Sequence, residues 1–226
     1  MHELAALRAW MVREQLAARG IEAPLVLAAM RKVPREAFIP ARLRARAYED
    51  APLPIAAGQT ISQPYIVALM IQALALRGGE SVLEIGTGSG YAAAVLAQIA
   101  GQVCTVERIG ALADAAAATL AGLGYGNVQV RHADGSQGWP GQAPYDAIIV
   151  TAGGPEIPPS LKAQLKIGGR LVMPVGASPH AQALICLTRH AGDVFTTEVL
   201  ADVRFVPLIG AEAWPEADSP PQPRRG

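Results

Sequence analysis

The chain has 226 residues, room for one sizeable domain with an appended segment and too few for two full ones. Hydrophobic residues make up 51% and charged residues 17%, enough apolar surface for a packed core. The formal net charge is zero, so no overall field draws the chain to nucleic acid or an anionic membrane. Glu3, Arg8, Arg13 and Glu14 interrupt the first twenty residues too often for a signal-peptide core, and no later apolar run is long enough to span a bilayer. A cytoplasmic monomer is the expectation, and Cys104 and Cys186, both inside strand-like runs, read as buried thiols.

Leu4, Leu7, Trp10, Met11 and Leu16 fall on one helical face against Arg8, Arg13, Glu14 and Arg19, and Gly20 closes this first helix. A second is expected over 24–32 and a third from Arg35 on past Pro40, where Arg42, Arg44 and Arg46 read as a solvated face. Residues 48–65 then hold three prolines, a glycine and many small polar groups without periodicity before an apolar helix over 66–75. Long ordered loops of this kind are usually functional. Thr60, Ser62 and Gln63 stand where an N-cap is wanted, but one cap does not account for the whole run.

Ser81-Val82-Leu83-Glu84-Ile85 is a buried strand that stops at Gly86, Gly88 and Gly90, and an alanine-rich helix opens at Tyr91. Bare backbone at such a junction lets a ligand approach closely, and free N–H groups at the helix start would favour a hydrogen-bond acceptor. The spacing is Gly-x-Gly-x-Gly, with Tyr91 where a dinucleotide loop wants its third glycine. A second strand over 103–106 ends in Glu107, an acid placed to accept from both hydroxyls of a ribose. The pair describes a nucleoside cofactor without a required pyrophosphate, which S-adenosylmethionine fits better than NAD.

A helix over 109–123 follows, then a strand over 128–131 ending near Asp134, a buried strand over 145–151 and a short helix over 158–165. Gly168-Gly169 is expected to turn the chain into a strand over 170–174, and 183–189 and 195–203 form a hairpin. The order is that of a doubly wound α/β sheet, mostly parallel with an antiparallel edge, behind an N-terminal helical segment. Ligands in such sheets bind outside the carboxyl ends of the strands, where Gly86, Glu107, Asp134 and Thr151 all fall. The organisation expected is helices and a site loop over 1–78, a cofactor-binding domain over 79–214, and a disordered tail over 215–226. Thr151-Ala152-Gly153-Gly154 lacks the Pro-Pro-aromatic signature that holds a planar nitrogen, and the four histidines suggest no metal centre.

Ala47-Tyr48-Glu49-Asp50, Pro52-Leu53-Pro54-Ile55, Gly58-Gln59-Thr60-Ile61-Ser62-Gln63-Pro64-Tyr65, the stretch Val82 to Tyr91, Gly138-Trp139-Pro140 and Arg204-Phe205-Val206-Pro207-Leu208 together resemble the protein-L-isoaspartate O-methyltransferase family. The resemblance spans 12–214, with Ala56 and Ala57 where the family often has glycine and Gly154 where it usually has alanine. It implies a Rossmann-like, S-adenosylmethionine-dependent methyltransferase that esterifies the α-carboxylate of L-isoaspartyl residues in damaged proteins, the ester then closing to a succinimide. On that footing Ser62 is the expected catalytic hydroxyl. Thr60, Gln59, Pro54, Ile55, Val206 and Leu208 are expected to orient the peptide. Glu84, Gly86, Gly88, Ser89, Glu107, Asp134 and Gly135 are expected to bind the cofactor, with Glu107 at the ribose and Asp134 at the adenine amino group. The rival readings are an NAD-dependent oxidoreductase, disfavoured by Tyr91, and a cofactor-binding module without turnover. No metal, nucleic acid or membrane partner is expected.

Overall fold

Helix α1 (His2–Trp10) opens the chain in the computed structural model, which describes residues 2–178 and 181–216. It runs on through a π-helical turn, Met11–Leu16, and a 3-10 turn, Ala17–Arg19, to Gly20 at φ +92°, a left-handed stop that suits glycine. Helix α2 (Pro24–Lys32) begins with proline, whose missing N–H is no loss in a first turn. The third helix is broken. Two 3-10 segments, Arg35–Phe38 and Ala41–Arg46, flank an extended Ile39, because a residue before proline is pushed out of the helical region.

The proline-rich stretch contains a two-residue hairpin, β1 (Leu53–Pro54) against β2 (Thr60–Ile61), joined by a 3-10 turn at Ala56–Gly58. Ala57 sits at φ 54° and Gly58 at φ 68°, so two consecutive residues are left-handed. Helix α3 (Pro64–Ala73) starts two residues before the sequence suggests. Its N-cap residue Gln63 makes no side-chain cap; the distant Asp50 accepts from the Tyr65 amide at 3.2 Å and from Gln63 Nε2 at 2.8 Å instead.

The remainder builds β3 (Ser81–Ile85), α4 (Tyr91–Ala97), β4 (Gln102–Glu107), α5 (Gly110–Gly122), β5 (Val128–His132), β6 (Tyr145–Val150), α6 (Pro159–Gln164), β7 (Leu165–Ser178), β8 (Ala181–Arg189) and β9 (Phe195–Val203). The strands lie in the order β5-β4-β3-β6-β7-β8-β9. The first five are parallel, and β8 and β9 are antiparallel additions. Gly168-Gly169 does not end a turn before β7. It lies inside a fourteen-residue strand, where the pairing with β6 slips between Tyr145 and Ala147. Strand order reverses between β3 and β6, which opens a crevice at their carboxyl ends.

Alternating side chains feed two cores. Val82, Val103, Ala147 and Ile149 face α3, α4 and the N-terminal helices, while Leu83, Ile85, Ile148 and Val150 face Leu161 of α6 and Leu208. Met11, Leu16, Met30, Phe38 and Tyr48 belong to the first cluster, so the N-terminal segment shares its core with the sheet. Gln72 of α3 fastens it further, accepting from the Glu22 and Ala23 amides at 2.7 and 2.9 Å and donating to Gly20 O. Cys104 and Cys186 are both buried and free. Of the tail expected over 215–226, Pro215 and Glu216 are described, Glu216 pairing with Arg108 at 2.9 Å, and the rest lies outside the described residues.

Candidate active site

The glycine loop is shaped by the strands on either side of it. Gly86 holds φ +93°, and a Cβ there would stand 2.5 Å from Thr151 Oγ1. Only glycine fits. Thr151, at the end of β6, donates its hydroxyl to Gly86 O at 2.7 Å and so clamps the loop across the crevice. The amides of Gly86, Gly88 and Gly90 turn inward, to Val106 O, Glu107 Oε2 and Thr87 O at 2.8, 2.9 and 2.8 Å. The free N–H groups expected from the sequence are those of the helix start at Tyr91, just beyond these glycines. The three glycine amides are spent on the protein, which leaves the loop poor in donors for a pyrophosphate and open to close approach.

Two acids stand behind it. Glu107, at the tip of β4, accepts from the Gly88 amide through one oxygen and from the Ile109 amide at 3.0 Å through the other, and each oxygen keeps a lone pair for a ligand hydroxyl. Glu84 is fully buried. Its Oε2 accepts from Thr105 Oγ1 at 2.6 Å, and that hydroxyl lies 2.6 Å from Thr87 Oγ1. Its Oε1 has no partner among the described residues. Burial pushes the Glu84 carboxyl up to about 8, the Thr105 hydrogen bond opposes this, and the charge of Glu107 adds to it. An orphaned carboxylate oxygen beside a ligand cavity suits a cationic group.

These residues wall one cavity of about 360 Å³. Glu84, Gly86, Gly88, Ser89, Glu107 and Gly135 line it on the glycine-loop side. Gln59, Thr60, Ser62 and Gln63 line it from the hairpin, and Val206 and Leu208 from the segment after β9. Arg108, Asp202 and Arg204 also border the cavity, and the glycine loop and the hairpin wall differ in charge. The glycine-loop half carries two buried acids, whereas the 59–63 wall offers only hydroxyls and amides beside apolar Ile61.

Three of the expected residues stand elsewhere. Pro54 is exposed on β1 and does not line the cavity. Ile55 also lies off its wall, with Cδ1 3.7 Å from where a Cβ on Gly88 would be. Asp134 turns away. Its carboxylate accepts from Ser136 N and Oγ at 2.9 and 2.7 Å and from Ala211 N at 2.7 Å, so it caps the 3-10 turn Gly135–Gln137 and holds the C-terminal segment. It lines an adjoining depression with Arg108, His132 and Ile209. The sequence signal for this was present, since Asp-Gly-Ser is an N-cap pattern.

Other contributors were not anticipated. Gln182 of β8 accepts from Phe205 N at 2.8 Å and donates to Phe205 O at 3.3 Å, which fixes the 204–208 wall as a backbone mimic would. Arg35 is wholly buried and donates to carbonyls of the hairpin approach. Nothing in their local sequence marks either as a site residue, because both act on chain segments far away.

The comparisons with known proteins agree with this geometry. The family model described as Protein-L-isoaspartate(D-aspartate) O-methyltransferase (PCMT) matches residues 8–213. Protein-L-isoaspartate O-methyltransferase 1 of Rhodopseudomonas palustris strain HaA2 is 70% identical over 220 residues, 97% of this chain and 89% of that protein. A solved protein-L-isoaspartate O-methyltransferase superposes with a TM-score of 0.81 at 28% identity, covering 92% of this chain and 67% of that one. A Plasmodium falciparum structure described as a beta-aspartate methyltransferase (PCMT), in complex with S-adenosyl-L-homocysteine, gives 0.77 at 26% identity, covering 89% and 98%. Matched by one family over nearly its whole length, and sharing its fold, this chain belongs to the protein-L-isoaspartate(D-aspartate) O-methyltransferase family.

Proposed function

We propose that the cavity brings S-adenosylmethionine and an L-isoaspartyl α-carboxylate together, and that the enzyme transfers the methyl group to that carboxylate in damaged proteins and peptides. The observation that carries the reading is the polarity of the one cavity: buried acids along the glycine loop, and neutral donors along 59–63. A cationic donor suits the first half and an anionic acceptor the second. Bound there, S-adenosylmethionine supplies an electrophilic methyl group on a sulfonium.

Each residue then has a defined task. Gly86 and Gly88 admit the methionyl end to bare backbone, the free oxygen of Glu84 takes its ammonium, and Glu107 accepts from the ribose hydroxyls. Asp134 reaches the adenine edge only through the depression beside Gly135, with its carboxylate holding Ser136 and Ala211. Ser62 donates to the acceptor carboxylate with Thr60 and Gln59 beside it, while Val206 and Leu208 support the peptide, with Pro54 and Ile55 outside the cavity along its approach. A carboxylate with a pKa of about 4 is already ionised at neutral pH, so no general base is required. What the protein contributes is alignment and exclusion of water. A hydroxyl serves better than a cation in direct contact, which would stabilise the reactant carboxylate as strongly as the transition state.

Among the described residues no helix is long and apolar enough to cross a membrane. The same reading makes the protein a cytoplasmic monomer without nucleic-acid partners, which sedimentation and cell fractionation test. The decisive experiment uses two peptides identical except for L-isoaspartate in one and L-aspartate in the other, each with methyl-labelled S-adenosylmethionine. Base-labile label on the isoaspartyl peptide alone is expected. Equal label on both, or on neither while the cofactor binds, overturns the assignment of the acceptor.

A further inference from the structure

Behind the acceptor wall lies a buried cation that the reaction as described does not use. Arg35, in the 3-10 segment Arg35–Phe38, has no solvent exposure. Its guanidinium donates to three main-chain carbonyls of the loop that leads into the site: Ala47 O through Nη1, and Ala51 O and Ser62 O through Nη2 at 3.2 and 3.1 Å. Its carbon lies 5.8 Å from the centroid of the Tyr91 ring. Tyr91 is the first residue of α4, directly after the glycine loop, and is itself buried. One side chain therefore touches the donor loop's helix and the backbone of the residue expected to hold the acceptor.

The lack of a direct ion pair is as informative, with Asp50 and Glu49 acting on Arg35 only at a distance. Among the described residues Arg35 forms no ion pair, and its Nε has no partner. Of the two acids on the loop, Asp50 is committed to Arg19, Gln63 and Tyr65, and Glu49 to Arg46. A fully buried unpaired charge is costly and persists where its hydrogen bonds specify a conformation that apolar packing would not. Carbonyls at 47, 51 and 62 converge here from a segment whose regular structure is two two-residue strands and the 3-10 turn between them. No apolar side chain could satisfy all three.

We infer that Arg35 is a positioning residue for methyl transfer: by holding the Ser62 carbonyl and the Tyr91 ring in one fixed relation, it sets the Ser62 hydroxyl against the glycine loop. This rests on the reading of Ser62 as the acceptor's hydrogen-bond donor. Arg35 contacts Ser62 only through the backbone carbonyl, so the acceptor oxygen itself is not clamped.

The test is a double-mutant cycle of Arg35→Lys and Ser62→Ala, with kcat and KM for an isoaspartyl peptide, S-adenosylhomocysteine affinity by calorimetry, and the thermal midpoint of each variant. A lysine keeps the charge and loses the fork that reaches separated carbonyls. In the chain with Ser62 intact, Arg35→Lys is expected to lower kcat about tenfold while S-adenosylhomocysteine affinity stays within about twofold, since a displacement of roughly 1 Å at a reacting group costs 10- to 100-fold. In the Ser62→Ala background the same substitution is expected to change kcat less than about twofold, because the group it positions is gone. A tenfold loss in both backgrounds, or a wild-type kcat for Arg35→Lys, overturns the inference and leaves the role of Ser62 standing. A wild-type kcat for Ser62→Ala alone overturns both. If the lysine variant does not fold, Arg35→Gln, which keeps two N–H donors and buries no charge, carries the same cycle with the same expected outcomes.

Discussion

With the cofactor ammonium placed on Glu84, binding is expected to be a proton-coupled event, and the size of the effect follows from the surroundings of that carboxyl. Burial raises the carboxyl to about 8, against 4.5 for an unperturbed glutamate, so at pH 7 it carries a proton. A ligand ammonium seated on Oε1 favours the ionised form, and the proton must leave. At pH 7 this displacement weakens apparent affinity roughly tenfold, about 1.4 kcal/mol. Binding there should release roughly 0.9 proton per ligand. Isothermal titration of S-adenosylhomocysteine from pH 6 to 8.5, in two buffers of different protonation enthalpy, measures both quantities. Affinity is expected to rise about tenfold per pH unit below about 8 and to level off above it, and Glu84→Gln to abolish the slope. The ligand-free protein behaves in the opposite sense. The folded state keeps a proton that the unfolded chain gives up above about 4.5, so this group's contribution to stability falls as pH rises from about 4.5 to about 8. Affinity that is flat between pH 6 and 8, with no proton released, would refute the placement of the ammonium on Glu84.

Three substitutions probe the surrounding frame. Gly86→Ala forces a Cβ to 2.5 Å from Thr151 Oγ1 at a left-handed φ; it should cost roughly 2–4 kcal/mol in urea unfolding and weaken S-adenosylhomocysteine at least tenfold, and affinity within twofold of wild type would refute the clamp. Ala57→Gly relieves a left-handed alanine in the hairpin turn at some cost in unfolded-state entropy, so the thermal midpoint should rise by about 1–2 °C; a fall would show the turn to be unstrained. Gln182→Leu leaves the Phe205 N–H and carbonyl unpaired, and peptide KM is expected to rise several-fold while S-adenosylhomocysteine affinity is unchanged; an equal loss of both would mean that Gln182 supports the whole cavity rather than the 204–208 wall.

The donor half of the site was legible in the sequence because its information is local. A run such as Val82 to Ile85 can hardly be anything but a buried strand, glycines fall where the backbone must turn left-handed, and Glu107 reaches the crevice simply by ending the neighbouring strand. What the loop does with its amides was not legible: their partners, Val106 O and the Glu107 carboxylate, come from β4, and register between strands is a property of the sheet. Asp134 shows the complementary difficulty. Its position at a strand end is shared with Glu107, but one carboxylate lines the cavity and the other is held by the Ser136 hydroxyl and a backbone amide 77 residues on.

The acceptor half is harder to read for a further reason. A two-residue strand has no periodicity to detect, and the cap of α3 comes from Asp50, fifteen residues before the amide it serves. Arg35, beside Glu36 in a short polar run, has the local texture of a solvated turn. It is buried where 47, 51 and 62 fold over it, and it satisfies their carbonyls in turn. Order of this mutual kind has no one-residue signature, since each part is unfavourable without the other: the guanidinium would be a bare buried charge, the carbonyls bare buried acceptors. The same mutuality suits the chemistry. An acceptor that needs no base must be served by geometry, and a loop fixed through its backbone can hold that geometry while leaving its side chains free to meet many different damaged sequences.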